Sequence, residues 1–147
     1  MPDILHRIGT QAPLADVHRA LATRAGLAGW WTTDTTGDGE VGSKLAFRFG
    51  EAGGFDMEVL EDDPTGRVRW RVIEGPEEWI GTEVDWRFER RDDYTIVLFE
   101  HQGWREANEF MHHCSTKWAT FLMSLKQLVE TGSGQPAPHD VHVSNWH

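Results

Sequence analysis

Residues 106–131 read EANEFMHHCSTKWATFLMSLKQLVET, and this stretch decides the fold. It contains neither Gly nor Pro. Phe110, Cys114, Trp118, Phe121, Leu125 and Leu128 recur at intervals of three or four, which draws one apolar stripe along a helix. About 26 residues at a rise of ~1.5 Å make a rod of about 39 Å. Gly132 follows and is a good terminator. A helix with a single apolar stripe needs a platform to bury it.

The platform lies immediately upstream. Leu45, Phe47 and Phe49 alternate with Ala46 and Arg48. Phe55, Met57 and Val59 alternate with Asp56 and Glu58. Val68, Trp70 and Val72 alternate with Arg67, Arg69 and Arg71. Val84, Trp86 and Phe88 alternate with Glu83, Asp85, Arg87 and Glu89, and Tyr94–Gln102 is a fifth run. Period-two alternation fits antiparallel strands with one wet face. The connections Ala52-Gly53-Gly54, Asp62–Gly66, Gly75-Pro76 and Asp92-Asp93 are short and rich in turn residues, which favours a meander. On the wet face, Asp56 and Glu58 are expected across from Arg69 and Arg71.

Farther out, residues 3–11 read as one more strand. Pro13 restricts Ala12 to extended geometry and suits the first turn of a helix from about Leu14 to Thr23. Gly26 and Gly29 set off a second short helical piece ending in Trp30-Trp31. Thr32–Ser43, with Asp34, Asp38 and Glu40 among Gly and Thr, reads as a solvated loop that is also a candidate lid. The expectation is an α+β domain over residues 1–131: a curved antiparallel sheet of about six strands wrapped around the long helix, with two short helices after the first strand. Residues 132–147, which include Ser133-Gly134-Gln135-Pro136-Ala137-Pro138, read as a C-terminal tail.

The composition narrows the partners. The 147 residues are 39% hydrophobic and 26% charged, an ordinary globular balance. Eight Trp and seven Phe stand against one Tyr, too much apolar area to leave in water. The net charge of −10 argues against a nucleic-acid surface and a polybasic membrane contact. No run approaches the ~20 apolar residues of a membrane span. The first residues lack the pattern of a secretory signal, and one cysteine, Cys114, suits a reducing compartment, so a cytoplasmic location is expected.

Local motifs point to a family. Trp30-Trp31-Thr32, Trp79-Ile80-Gly81-Thr82-Glu83, His101-Gln102-Gly103-Trp104, and Trp118, Phe121-Leu122 and Ser124-Leu125-Lys126 on the helix carry the likeness, with Glu130–Pro136, Pro138 and Asp140 after it. Together with the element order, they resemble the START-like (SRPBCC, helix-grip) superfamily. Within it, they resemble the branch of the activator of heat-shock protein 90 ATPase homologues, in its stand-alone bacterial-type form. The resemblance implies an internal cavity between sheet and helix. It covers nearly the whole chain and is more specific for fold than for function. The eukaryotic activators carry an additional N-terminal domain, for which this sequence has no room.

The candidate binding residues follow from the inward faces: Phe47, Phe49, Met57, Trp70, Trp86 and Phe99 from the strands, and Phe110, Cys114, Trp118 and Phe121 from the helix. Trp31 and Trp79 are placed at the rim, and His101, on the face of Val97 and Phe99, is the polar contact. The competing reading makes the rings ordinary core and His101 a buried neutral imidazole bonded within the protein. Cys114 on the buried stripe is expected to be an inert thiol. His112 and His113 adjoin Cys114, but adjacent helical residues diverge by ~100°, and no pair has ligand spacing, so no metal is expected. No P-loop, dinucleotide fingerprint or Ser nucleophile elbow is present, so no cofactor is expected. Three functions remain. The first is binding of a small hydrophobic or aromatic ligand. The second is a chaperone-ATPase-activator-like interaction protein, with a homodimer or a chaperone contact. The third is a cyclase- or hydrolase-type enzyme using the same cavity.

Overall fold

The computed structural model describes residues 1–147. The elements run β1 (Ile4–Thr10), α1 (Leu14–Ala22), α2 (Arg24–Trp30), β2 (Asp34–Thr36), β3 (Lys44–Arg48), β4 (Gly54–Asp63), β5 (Arg67–Glu74), β6 (Glu83–Arg91), β7 (Tyr94–Gln102) and α3 (Glu109–Thr131). The strands form one antiparallel sheet in the order β1-β7-β6-β5-β4-β3-β2. β2 through β7 meander, and β1 closes the far edge beside the last strand. This is the helix-grip arrangement: a curved open sheet, a long C-terminal helix and two short helices after the first strand.

The sheet has seven strands because Asp34–Thr36, inside the stretch read as a loop, pairs with Arg48–Ala46. Beyond it, Gly39 lies against the end of α1, where a Cβ would sit 1.8 Å from the carbonyl oxygen of Ala22, and Gly42 and Ser43 bond to Val59 of β4. The long helix begins three residues later than the run free of Gly and Pro, which starts at Glu106. Asn108 stops it there, its side chain accepting a hydrogen bond from Met111 N at 3.0 Å. Gly132, at φ 88°, ends it in the left-handed region.

One core of 27 buried residues lies between the sheet and α3. The C-terminal half of α3 seats tightly on α2: Ser124 Oγ donates to Trp30 O at 2.8 Å. The missing side chain of Gly29 gives Leu128 its place, since a Cβ there would lie 3.1 Å from Leu128 Cδ2. On the wet face, the register puts Glu58 opposite Arg71 but Asp56 opposite Glu74, with bulges after Asp56 and Val59. The expected pairing of Asp56 with Arg69 or Arg71 is therefore not made. Asp56 bonds Arg48 at 2.7 Å and Lys44 at 3.3 Å instead. Arg69 is held between Glu61 and Glu83.

Candidate functional site

A cavity of about 710 Å³ opens between the N-terminal half of α3 and the β3–β4 hairpin. Trp31, Phe49, Phe55, Trp79, Trp118 and Phe121 supply its aromatic surface, and Phe110 and Cys114 extend it along the helix. The rings brace one another. Trp79 stacks on Phe55 at 4.0 Å and lies nearly parallel to Trp118 at 5.9 Å between centroids. Trp31 packs on Trp118 at 5.0 Å. Rings locked in this way are poorly able to collapse into the space they enclose.

Of the thirteen residues expected at the site, seven line the cavity: Trp31, Phe49, Trp79, Phe110, Cys114, Trp118 and Phe121. The other six, Phe47, Met57, Trp70, Trp86, Phe99 and His101, do not reach it. They share the inward face but are fully buried in the packed core. Trp31 covers Phe47 and Trp70, with centroids 4.3 and 6.0 Å apart. Trp118 covers Phe99 and Trp86, at 4.5 and 6.1 Å. Trp31 and Trp79 were expected at the rim, yet both are almost wholly buried and belong to the wall.

His101 has both ring nitrogens satisfied inside the protein. Thr82 Oγ1 donates its one proton to Trp79 O at 2.5 Å, so it accepts from His101 Nε2–H at 2.8 Å. Trp118 Nε1–H donates to Nδ1 at 3.2 Å. These partners fix the neutral Nε2–H tautomer, and burial pushes the imidazole pKa down to about 3. Its role here is to hold Trp79 and Trp118 in position. Cys114 is held as the neutral thiol: burial pushes its pKa up to about 12.

The cavity has walls that the sequence reading passed over. Phe55 belongs to the inward face of its strand. His113 and Lys117 continue the helical spacing to Phe121 along one edge of the stripe. The larger omission is the C-terminal segment, which returns across the mouth with Ala137, Pro138, Asp140, His142, Trp146 and His147. Its docking begins where Gly134 presses between Gly29 O and Ser124 O. Gln135 N donates to Ser124 Oγ at 2.7 Å. Ala137 pairs with the strand-like stretch at Thr32: Ala137 N donates to Trp31 O at 2.8 Å, and Thr33 N donates to Ala137 O at 3.0 Å. Asp34 also lines the cavity, but Asp38 and Glu40 do not, so the acidic loop is not its lid. No group of three or more His, Cys, Asp or Glu is arranged to hold a metal ion. No helix is long and apolar enough to cross a membrane.

A curved sheet gripping one long helix, with an aromatic cavity at one end, defines a single-domain START-like protein. The model of the family described as Activator of Hsp90 ATPase homolog 1-like protein matches residues 11–130, and the chain belongs to that family. The solution structure of the Aha1 dimer from Colwellia psychrerythraea is 44% identical, with a TM-score of 0.84 over 91% of this chain and 100% of that one. Protein MLL2253 from Mesorhizobium loti is 18% identical, with a TM-score of 0.77 over 88% of this chain and 97% of that one. Protein SSP2350 from Staphylococcus saprophyticus is 16% identical, with a TM-score of 0.74 over 90% and 95%. These last two share the fold. No curated protein matches the chain.

Proposed function

We propose that this protein binds a small hydrophobic or aromatic ligand in the cavity between the sheet and α3, in the cytoplasm and without a cofactor. The observation that carries the reading is the cavity itself: about 710 Å³, walled by six mutually braced rings. That volume is within the ~300–1,000 Å³ usual for small-molecule sites, and the aromatic rings give it a mainly apolar surface alongside charged side chains such as Arg48, Glu51 and Lys117. Residues 1–131 supply the walls and residues 132–147 the cover. Native mass spectrometry of the purified protein, repeated after denaturation, tests the reading directly. A discrete extra mass that is lost on denaturation supports an occupied cavity. Failure of any apolar probe to perturb Trp fluorescence, in a site where Trp31, Trp79 and Trp118 form the wall, counts against it.

A second reading has its own support. The family takes its description from an activator of the Hsp90 ATPase, and the 44% identical relative is described as an Aha1 dimer. On this reading the chain acts as a homodimer that contacts a chaperone, and its outer surface does the work. Light scattering of the purified protein gives the oligomeric state. Stimulation of a purified Hsp90-type ATPase by this domain alone selects the chaperone role.

A further inference from the structure

Beyond Ala137, the C-terminal segment 138–147 crosses the cavity mouth as a strap. Its polar ties to the rest of the protein pass through two side chains one turn apart on α3. Lys117 Nζ donates to Asp140 Oδ2 and to Val141 O at 2.7 Å. His113 Nδ1 lies 3.2 Å from Ser144 Oγ, and its ring meets Trp146 edge-on at 5.5 Å. The remaining hydrogen bonds of the strap, such as His139 N to Pro136 O and Val143 N to His147 O, are local.

The Lys117–Asp140 pair is unlike the other ion pairs of this protein. Both side chains are largely withdrawn from water, at 14% and 10% exposure. Lys117 Nζ sits 4.9 Å from the centroid of the Phe121 ring, at the cavity wall. An ammonium in such a place needs a counter-charge. The other non-histidine cation lining the cavity, Arg48, is committed to Asp56 on the adjoining strand. Lys117 belongs to the rigid helix, whereas its carboxylate partner belongs to the strap. When the strap leaves, the anion leaves with it and the cation stays at the edge of an aromatic chamber.

We propose that Asp140 occupies the head-group position of the cavity's ligand. That ligand is an amphipathic monoanion with an apolar body among Trp31, Phe55, Trp79 and Phe121 and a single carboxylate that replaces Asp140 on Lys117. The proposal rests on the reading of the cavity as a ligand site. Charge balance selects the class. Exchanging one carboxylate for another preserves the buried pair and frees the strap, which gains conformational entropy. A dianionic head adds an unpaired charge beside the rings, and a cationic head meets Lys117. A neutral head can accept a hydrogen bond from Lys117 but leaves its charge unpaired.

Three matched probes, dodecanoate, 1-dodecanol and dodecyl phosphate, test this below their aggregation limits. Trp fluorescence reads affinity, and hydrogen exchange of residues 138–147 reads the strap. Dodecanoate is expected to bind at least about ten-fold more tightly than the other two, a head-group preference of about 1.4 kcal/mol, and to deprotect the strap. Asp140→Asn is expected to increase the preference for dodecanoate over dodecanol. Lys117→Met is expected to erase it, and if that variant does not fold, Asp140→Asn carries the test. Equal binding of dodecanol, tighter binding of dodecyl phosphate, or dodecanoate binding without deprotection of the strap overturns the head-group assignment and leaves the cavity reading standing. No binding of any probe removes both.

Discussion

Acidification should weaken this fold through His101 in a way that one substitution isolates. The imidazole is fully buried, and both nitrogens are matched to the neutral tautomer. Its pKa is pushed down to about 3 in the folded protein, whereas in the unfolded chain it returns to the ordinary value of about 6.5. Between those values the unfolded state binds the proton and the folded state does not. Stability is therefore full above about pH 6.5, falls as pH drops through that value, and levels off near 3. A full pH unit inside the window costs about 1.4 kcal/mol, so going from pH 6.5, where the unfolded imidazole is already half protonated, to about 4.5 costs about 2 kcal/mol. That is a large share of the ~5–15 kcal/mol of a typical domain. The assay is urea unfolding followed by Trp fluorescence, at several pH values, for the wild type and His101→Gln. Gln keeps an N–H near the Nε2 position and does not titrate. The variant should be less stable at neutral pH but lose about 2 kcal/mol less on going to about pH 4.5. Every other carboxylate and histidine is common to the two proteins and cancels in the comparison. Equal losses in both would refute the buried, neutral assignment.

Cys114 should resist modification: with its thiol pushed up to about 12, roughly one molecule in ten thousand carries the thiolate at about pH 8. Alkylation should follow global unfolding, and full labelling within seconds in the native protein would contradict this. Gly134→Ala should detach the C-terminal segment while leaving the domain folded. Its Cβ would fall 2.6 Å from Gly29 O and 2.8 Å from Ser124 O, both backbone atoms; limited proteolysis should then trim the chain near its end far faster than in the wild type. Asp85, at 1% exposure, receives two hydrogen bonds from Arg67, at 3.1 and 2.8 Å. Asp85→Ala should cost about 2 kcal/mol of unfolding free energy, less than for a wholly buried pair because Arg67 remains partly hydrated. A loss under about 0.5 kcal/mol would place the pair among ordinary surface contacts.

The sheet was legible because each strand alternates with period two and each connection carries turn residues. β2 was not, because Asp34-Thr35-Thr36 has no apolar alternation and forms only through its partner β3. The start of α3 was legible in principle: Asn108 is a strong N-cap and the apolar stripe begins only at Phe110, but the run from Glu106 has no Gly or Pro to mark a boundary. Adjacent tryptophans illustrate a harder limit. Trp30 points into the core and donates to Ala20 O at 2.9 Å, while Trp31 faces the cavity, and residue type does not distinguish them. Thr82, which fixes the tautomer of His101, lies 19 residues away in sequence, and their contact across the β6–β7 end of the sheet has no local signature. The C-terminal segment was the least legible of all. Gly, Ser and Pro mark it as irregular, but irregular backbone that pairs with Trp31 and Thr33 is still a wall.

The same inward face yields both a filled core and an open chamber because position along the helix, not side-chain type, decides between them. At the C-terminal end of α3, Gly29 and the Ser124–Trp30 bond draw the helix down onto α2 until Leu128 fills the gap. Toward the N-terminal end no helix lies beneath it. There the facing wall is the β3–β4 hairpin, where Phe49 and Phe55 meet edge-on at 5.4 Å and brace each other across the turn. Aliphatic side chains at these positions have enough rotamer freedom to close such a space, whereas interlocked rings do not. The tryptophan-rich composition and the cavity therefore have a common origin. Smaller rings at Trp31 or Trp118 would both enlarge the chamber and loosen the core beneath it.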